Sequence, residues 1–222
     1  MFKTLRTSFS LKNTYRVNGI LYSLKQIPLL GRLFPAALYQ VRGLKIFANV
    51  LSVIWEVVSI FLFKVIYFLT LVCGLGLLYE NTPPQLLFLH ILLFLTLIGS
   101  YMNTSLFDPT RDKYYAMILM RMNARSYTLV NYGYALLKTV IGFLPCTILF
   151  GLARGVSLWL CLLLPFCVAG AKLTAAAYSL RDYEKYGYVR NENKLRKFAW
   201  LLTGVLLALA YLPPVLGFAL PL

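Results

Sequence analysis

The chain has 222 residues, of which 60% are hydrophobic and 13% are charged, and its formal net charge at pH 7 is +15. A soluble domain of this length carries about a quarter charged residues and cannot bury so much apolar surface. The mean hydropathy is +0.72, and several apolar runs exceed the roughly 18 residues that cross a bilayer core. These features exclude an ordinary soluble protein and predict a membrane protein.

The apolar runs are predicted to be helices. Backbone polar groups inside a bilayer have no water to bond, so each segment must satisfy them internally. The predicted fold class is therefore all-α: a polytopic membrane protein with about five transmembrane helices, interfacial amphipathic helices at the N-terminus and one amphipathic helix in a cytoplasmic loop.

Residues 1–47 are predicted to form a cytoplasmic or interfacial region. Apolar and basic residues recur at helical spacing in 20–27 and again in 36–47, and Pro28 and Pro35 separate these pieces. Broken amphipathic helices with basic residues on one face suit the lipid headgroup plane. We therefore predict two short helices on the membrane surface, which either anchor the chain or have a functional role.

Residues 48–222 are predicted to form the transmembrane domain. The first apolar run, within 48–79, is longer than a hydrocarbon core of about 30 Å requires, so its crossing is placed in its second part. The five predicted crossings are 57–78, 85–103, 128–150, 156–178 and 198–218.

The orientation is predicted from lysine and arginine, which collect on the cytoplasmic side of membrane proteins. Both residues are frequent before the first crossing, after the second and after the fourth. Loop 80–84 has none, and the turn 151–155 has only Arg154. This alternation predicts a multi-pass protein of the cell membrane, with its N-terminus cytoplasmic and its C-terminus extracytoplasmic. Anionic lipid explains the positive charge, and without a recognition motif nucleic acid is not an expected partner.

Four ionisable side chains in the apolar runs are candidate pathway residues, because such groups at membrane depth often have a function. They are Glu56, Lys64, Lys138 and Lys172. Glu56 and Lys64 are two helical turns apart and share a face. We favour the simpler interpretation, in which Glu56 lies in a cytoplasmic extension of a long helix and Lys64 reaches the interface from a shallow position. The single histidine, His90, is predicted to be a packed or hydrogen-bonded helix residue, since zinc sites need three or four ligands.

No catalytic residue, metal site or cofactor is predicted. The four cysteines lack Cys-x-x-Cys spacing, and the sequence contains no Walker A, His-Glu-x-x-His or Gly-x-Ser-x-Gly motif. Only seven residues are acidic, which is a poor supply for acid–base or metal chemistry. The chain is therefore not expected to be an enzyme.

Residues 106–130 carry the most information outside the apolar runs. The sequence Asp108-Pro109-Thr110 is typical of a helix start, and Asp112 follows near the positive end of the helix dipole. We predict an amphipathic helix over 109–126, which could lie on lipid or insert into a groove of a cytoplasmic partner. Tyr, Met and Arg are favoured at protein contacts, and the candidate contact residues are Arg111, Tyr114, Tyr115, Ile118, Met122 and Arg125.

Two parts of the chain resemble bacterial type-2 ABC exporter permeases, in particular those of Gram-positive bacteria. One part resembles the family's loop between the second and third spans, and the other resembles the family's opening segment. The matching loop residues are Leu106-Phe107-Asp108, Lys113-Tyr114-Tyr115 and the stretch from Leu119 to Tyr127. The matching N-terminal residues are the stretch from Tyr22 to Pro35, Leu38-Tyr39 and Gly43-Leu44-Lys45.

The resemblance implies a permease subunit of an ATP-driven exporter in a bacterial inner membrane. It implies that residues 20–47 hold an interfacial helix and that residues 109–126 form a coupling helix, which docks into a separate ABC ATPase subunit. The family has six spans in each half, whereas five are predicted here. Either the first apolar run hides a re-entrant pair, or the chain belongs to a larger permease and pairs with a second half or with a copy of itself. The alternative function is a non-transporting membrane scaffold that recruits a cytoplasmic partner.

Overall fold

The computed structural model describes residues 2–26, 41–74, 79, 82–104, 106–107, 110–187 and 196–218, with the side chains of 196–198 excepted. The described residues form seven helices and no strand, which confirms the all-α prediction. The helices are α1 (Phe2–Gln26), α2 (Arg42–Tyr67, extended by π-helical turns over Phe68–Gly74), α3 (Pro84–Met102), α4 (Arg111–Tyr114, extended by a π-helical turn over Tyr115–Leu119), α5 (Ala124–Ala153), α6 (Leu158–Tyr186) and α7 (Arg196–Val215).

Four of these helices are long and apolar enough to cross a membrane: α2 with its π-helical extension, α3, α5 and α6. Helix α7 contains a shorter apolar segment, Ala199–Val215. The length and composition of these helices suit a multi-pass membrane protein, in agreement with the prediction from composition.

The N-terminal helices differ in extent from the sequence prediction. Helix α1 is continuous over Phe2–Gln26, where only its end, 20–27, was expected to be helical. It contains no proline, so no residue interrupts its backbone hydrogen bonds. The second predicted piece, 36–47, is not a separate helix where it is described, because α2 starts at Arg42 and runs without a break through the predicted boundary at residue 47. Residues 27–40, with both prolines, lie outside the described part of the chain.

Single residues mark the start of α5 and the end of α6. Asn123 caps α5, because its Oδ1 accepts a hydrogen bond of 3.1 Å from the Ser126 N–H, as is typical of an N-cap asparagine. Helix α6 continues eight residues beyond the predicted end at Tyr178 and stops where Gly187 adopts a φ of 70°. A glycine in the left-handed region is a common helix terminator.

The chain forms two compact units, and α2 and α5 contribute to both of them. The first unit consists of Met1–Ser59 with Pro109–Tyr134, and the second of Ile60–Asp108 with Ala135–Leu222. In the first unit a small apolar core joins α1 to the start of α2. Its buried residues are Val17, Leu21 and Ala48.

The second unit has a larger apolar core centred on α3. Ile91 and Leu92 of α3 are buried, and so is Phe68 at the start of the π-helical extension of α2. The Phe68 ring stacks on the ring of Phe150, with 5.5 Å between their centroids. Aromatic pairs of this kind add stabilisation beyond the area that they bury.

Pro213, near the end of α7, leaves a backbone carbonyl without a helical donor, and the only histidine of the chain bonds to it. Pro213 has no N–H, so the carbonyl of Leu209, four residues earlier, has no helical donor. The His90 Nε2 lies 2.9 Å from this carbonyl oxygen and donates to it from α3. His90 is only 3% exposed, which confirms the prediction of a packed, hydrogen-bonded helix histidine.

Candidate functional site

Helix α4 with its π-helical turn presents an apolar surface on its outer side. Tyr114 is 56% exposed and Ile118 is 60% exposed, whereas Ala116 between them is fully buried. Leu119 and Met120 continue the exposed surface. We call Tyr114, Ile118, Leu119 and Met120 the α4 face. Contiguous exposed apolar side chains mark contact sites for lipid or protein, so the α4 face is a candidate contact surface.

The helix that carries this face is shorter than the predicted 109–126. The N–H groups of Met120 and Met122 donate to the carbonyl oxygens of Tyr115 and Ala116, each at 2.9 Å, and they close the helix. Arg121 then adopts a φ of 50°, in the left-handed region that ends helices. The sequence does not indicate this end, because glycine is the usual residue in that conformation and an arginine gives no such signal.

The structure therefore brings only some of the predicted contact residues together. Four of them lie on the helix, namely Arg111, Tyr114, Tyr115 and Ile118. Met122 is half-buried in the following turn, and Arg125 is exposed in the first turn of α5. The Tyr115 ring also packs edge-on against Tyr15 of α1, with centroids 5.5 Å apart, so its role is partly structural.

Asp112 attaches α4 to two neighbouring helices. The Tyr127 hydroxyl of α5 donates a hydrogen bond of 3.1 Å to the Asp112 Oδ2. The Lys12 ammonium of α1 lies 3.9 Å from the same oxygen. Asp112 therefore links α4 to α1 and α5, in addition to lying near the positive end of the helix dipole.

Asn131 extends these contacts along α5. Its Oδ1 accepts hydrogen bonds from the Lys12 ammonium at 2.7 Å and from the Ser8 hydroxyl at 2.8 Å. Its Nδ2 donates to the carbonyl oxygen of Tyr127 at 2.8 Å. Ser8 is buried, so this bond also satisfies a hydroxyl that water does not reach.

Glu56 joins α2 to the same group of residues. It accepts hydrogen bonds from the Arg16 guanidinium of α1 and from the Tyr134 hydroxyl of α5, the latter at 2.9 Å. Glu56 thus takes part in polar contacts between α1, α2 and α5, and its position relative to the membrane stays a prediction. Asn13 and Asn49 add a further bond of 2.8 Å between α1 and α2.

These side chains form the polar cluster of the first unit. Its members are Ser8, Lys12, Asn13, Arg16, Asn49, Glu56, Asp112, Tyr127, Asn131 and Tyr134. They come from four helices, and each helix is bonded to at least one other through them. The cluster therefore holds α1, α2, α4 and the start of α5 in one compact unit.

The surroundings of Asp112 and Lys12 shift the pKa values of both side chains. Partial burial raises the pKa of Asp112, but hydrogen bonds from Thr110 and Tyr127 and the Lys12 charge outweigh burial and hold the pKa below its ordinary value. Burial lowers the pKa of Lys12, and the neighbouring Asp112 only partly offsets this effect. The ion pair thus forms in a partly desolvated place, where charges interact more strongly than in water.

A half-open cavity of about 320 Å³ lies within the polar cluster. Two cations, one carboxylate, three asparagine amides and two aromatic rings contribute to its walls. The lining residues are Phe9, Ser10, Lys12, Asn13, Arg16, Asn49, Val53, Glu56, Asn131 and Tyr134.

The three predicted intramembrane lysines belong to the second unit. The Lys64 ammonium lies 4.6 Å from the centroid of the Phe143 ring, which is a favourable cation–π arrangement. Lys172 lies near enough to Lys64 for their charges to interact, and Lys138 is half-buried on α5. Within the described residues, no group of three or more His, Cys, Asp or Glu side chains could hold a metal ion.

Most members of the polar cluster were not predicted from the sequence, although three of them recur at helical spacing. Tyr127, Asn131 and Tyr134 recur at intervals of four and three residues, so they share one face of α5. Their position at the start of an apolar run hid this pattern.

Comparison of the chain with protein-family models, with curated proteins and with solved structures found no match.

Proposed function

We propose that the chain is the membrane-spanning permease subunit of an ATP-driven ABC exporter and works with a separate ATPase subunit. The observation that carries the proposal is the division of α4 into two sides. The α4 face exposes Tyr114 and Ile118, while Asp112 is bonded to Tyr127 and lies beside Lys12. A helix with one exposed apolar side and one polar side bonded to its neighbours can bind a partner subunit and transmit that subunit's movement.

The contacts of α4 supply a route by which such movement would reach the membrane. Asp112 is bonded to Tyr127, which lies in the first turn of α5, and α5 is apolar enough to cross a bilayer. A displacement of α4 by an ATPase subunit would therefore act directly on a spanning helix. We propose that this displacement changes the tilt of the spans between inward and outward access.

The proposed topology has five crossings, with the N-terminus in the cytoplasm and the C-terminus outside. Helix α7 has 20 residues, so at about 1.5 Å per residue it reaches roughly 30 Å, the thickness of a hydrocarbon core. The alternation of lysine and arginine between successive loops supports the orientation. On this proposal a second permease half or a second copy completes the pathway.

A scaffold without transport activity is the second candidate, because the α4 face would also fit a groove on a partner that hydrolyses no ATP. Purification of the tagged full-length chain from membranes of its source cells distinguishes the two functions. The exporter proposal predicts that a Walker-motif subunit copurifies in a fixed ratio and that the complex hydrolyses ATP. A stable complex with a partner that lacks ATPase activity would support the scaffold instead and refute the exporter.

A further inference from the structure

We propose that the cavity within the polar cluster binds the phosphate-bearing headgroup of a phospholipid. The proposal does not depend on the exporter function. It rests on the lining of the cavity, which combines Lys12, Arg16 and Asn13 of α1 with Asn49 of α2 and Asn131 of α5. These residue types are the usual donors to phosphate oxygens, arginine above all because its planar fork matches them.

The two cations keep donors for a ligand after their internal contacts are counted. The Lys12 ammonium has three N–H groups and uses one on Asn131. Its distance of 3.9 Å from Asp112 is too long for a hydrogen bond. The Arg16 guanidinium has five N–H groups and contacts Glu56 through Nη1. The carboxylates of Asp112 and Glu56 balance the two positive charges, so the remaining N–H donors, rather than a net charge, suit phosphate oxygens.

The surface beside the cavity indicates a lipid rather than a soluble phosphate. Asn49, Val53 and Glu56 line the cavity from one face of α2. Val53, which lines the cavity, and Val57, one turn further along α2, are each more than half exposed, and the exposed Trp55 lies at the same level of the helix. A phospholipid could place its phosphate among the basic residues and lay its acyl chains along this apolar surface. Tryptophan is enriched at the level where headgroups meet acyl chains.

The size of the cavity agrees with a headgroup. Its volume of about 320 Å³ lies at the lower end of the range of roughly 300–1,000 Å³ typical of small-molecule sites. A whole phospholipid would not fit, so the acyl chains must lie outside the cavity.

Lipid binding to the full chain, purified in a mild detergent, tests the proposal. Native mass spectrometry would follow titrations with phosphatidylglycerol, with soluble glycerol phosphate and with diacylglycerol, which lacks the phosphate. The wild type should bind phosphatidylglycerol best. Loss of one charge-assisted bond costs about tenfold in affinity, so Lys12→Gln should weaken this binding by about that factor.

Two further variants separate the cavity from general surface charge and from misfolding. Lys3→Gln removes the same charge from an exposed position on α1 and should leave binding unchanged. Asn49→Leu replaces an amide of the cavity wall by an apolar side chain of similar shape without removing a charge, and it should weaken phosphatidylglycerol binding while the size-exclusion profile is retained. Equal losses in Lys12→Gln and Lys3→Gln, or no loss in Asn49→Leu, would overturn the proposal. Glycerol phosphate binding as tightly as phosphatidylglycerol would overturn the lipid assignment and point to a soluble phosphate ester.

Discussion

The Asp112 Oδ2 accepts a hydrogen bond of 3.1 Å from the Tyr127 hydroxyl, across the turn that separates α4 from α5. The Tyr127 side chain is almost completely buried, so its hydroxyl has no ready access to water. The same carboxylate oxygen lies 3.9 Å from the Lys12 ammonium. One side chain thus fixes the short helix α4 to both α1 and α5.

Substitution of Asp112 should loosen α4. Asp112→Ala leaves the buried Tyr127 hydroxyl without this acceptor, at a cost of about 1–3 kcal/mol in the free energy of unfolding. Asp112→Asn keeps an acceptor oxygen and loses only the charge, so it should cost less. Limited trypsin digestion at neutral pH measures the effect through the rate of cleavage in α4. The exposed Glu184→Ala is the control, and equal cleavage rates in Asp112→Ala and the control would contradict the assigned role.

The contribution of the Asp112 charge should also depend on pH. Its pKa in the folded chain is lower than the ordinary value of 3.8, so the folded state favours the ionised form. The resulting stabilisation is present above the unfolded pKa and is lost as the pH falls from that value through the folded pKa. The stability difference between wild type and Asp112→Asn should therefore be constant near neutral pH and shrink at and below pH 3.8. Thermal unfolding in detergent across this range measures it, and a constant difference would contradict the assignment.

His90 should stabilise the second unit through the carbonyl that Pro213 leaves without a helical donor. His90→Leu keeps the apolar contacts but removes the donor to the partly buried Leu209 oxygen, which should cost about 1 kcal/mol in the free energy of unfolding. His90→Gln retains a side-chain N–H and should recover part of the loss. Thermal unfolding of the three proteins in one detergent compares them. If His90→Leu unfolds at the wild-type temperature, the bond of 2.9 Å has no net effect.

Two glycines of α5 should respond in opposite ways to alanine. A Cβ on Gly142 would lie 2.9 Å from the Ile60 carbonyl oxygen, whereas a Cβ on Gly133 meets nothing within 4 Å. Gly142→Ala should therefore destabilise the protein by about 1–3 kcal/mol, as overpacking does. Gly133→Ala should stabilise it by about 0.5–1 kcal/mol, because alanine favours the helix. Unfolding temperatures that shift in the same direction would contradict this packing.

The sequence was sufficient for the all-α class and for most of the apolar helices, because long apolar runs have few structural alternatives. Its failures have local causes. The end of α4 depends on a left-handed arginine at position 121, which composition does not signal. Helix α1 was underestimated because apolar residues are sparse in its first half. The polar cluster depends on contacts between distant segments, such as Ser8 with Asn131, which helical periodicity cannot predict.

The proposed orientation can be tested with single cysteines in a background where the four native cysteines are replaced. Ser157→Cys lies exposed before α6, and Glu184→Cys lies exposed near its other end. A membrane-impermeant maleimide should label Ser157→Cys in intact cells and Glu184→Cys only after permeabilisation. The reverse pattern would invert the topology. Thr82, in the first loop that the proposed orientation places outside, is buried and bonded to the Pro214 oxygen, so it is unsuitable as a labelling site.

The proposed exporter function requires that the α4 face bind an ATPase subunit. Ile118→Asp places a charge in the middle of that face, where desolvation in an interface costs several kcal/mol. Ile118 is 60% exposed, so the isolated subunit should fold and insert normally. Phe2→Asp introduces the same charge at an exposed apolar residue of α1 and is the matched control.

The most direct test is the amount of Walker-motif ATPase that copurifies with each variant from source-cell membranes, normalised to the amount of this chain. The wild type and Phe2→Asp should recover the ATPase subunit equally, with matching ATP hydrolysis. Ile118→Asp should recover less than about one tenth, because a loss of 1.4 kcal/mol or more in binding lowers affinity at least tenfold. Undiminished recovery with Ile118→Asp, or a wild-type chain that brings down no ATPase, would contradict the exporter assignment.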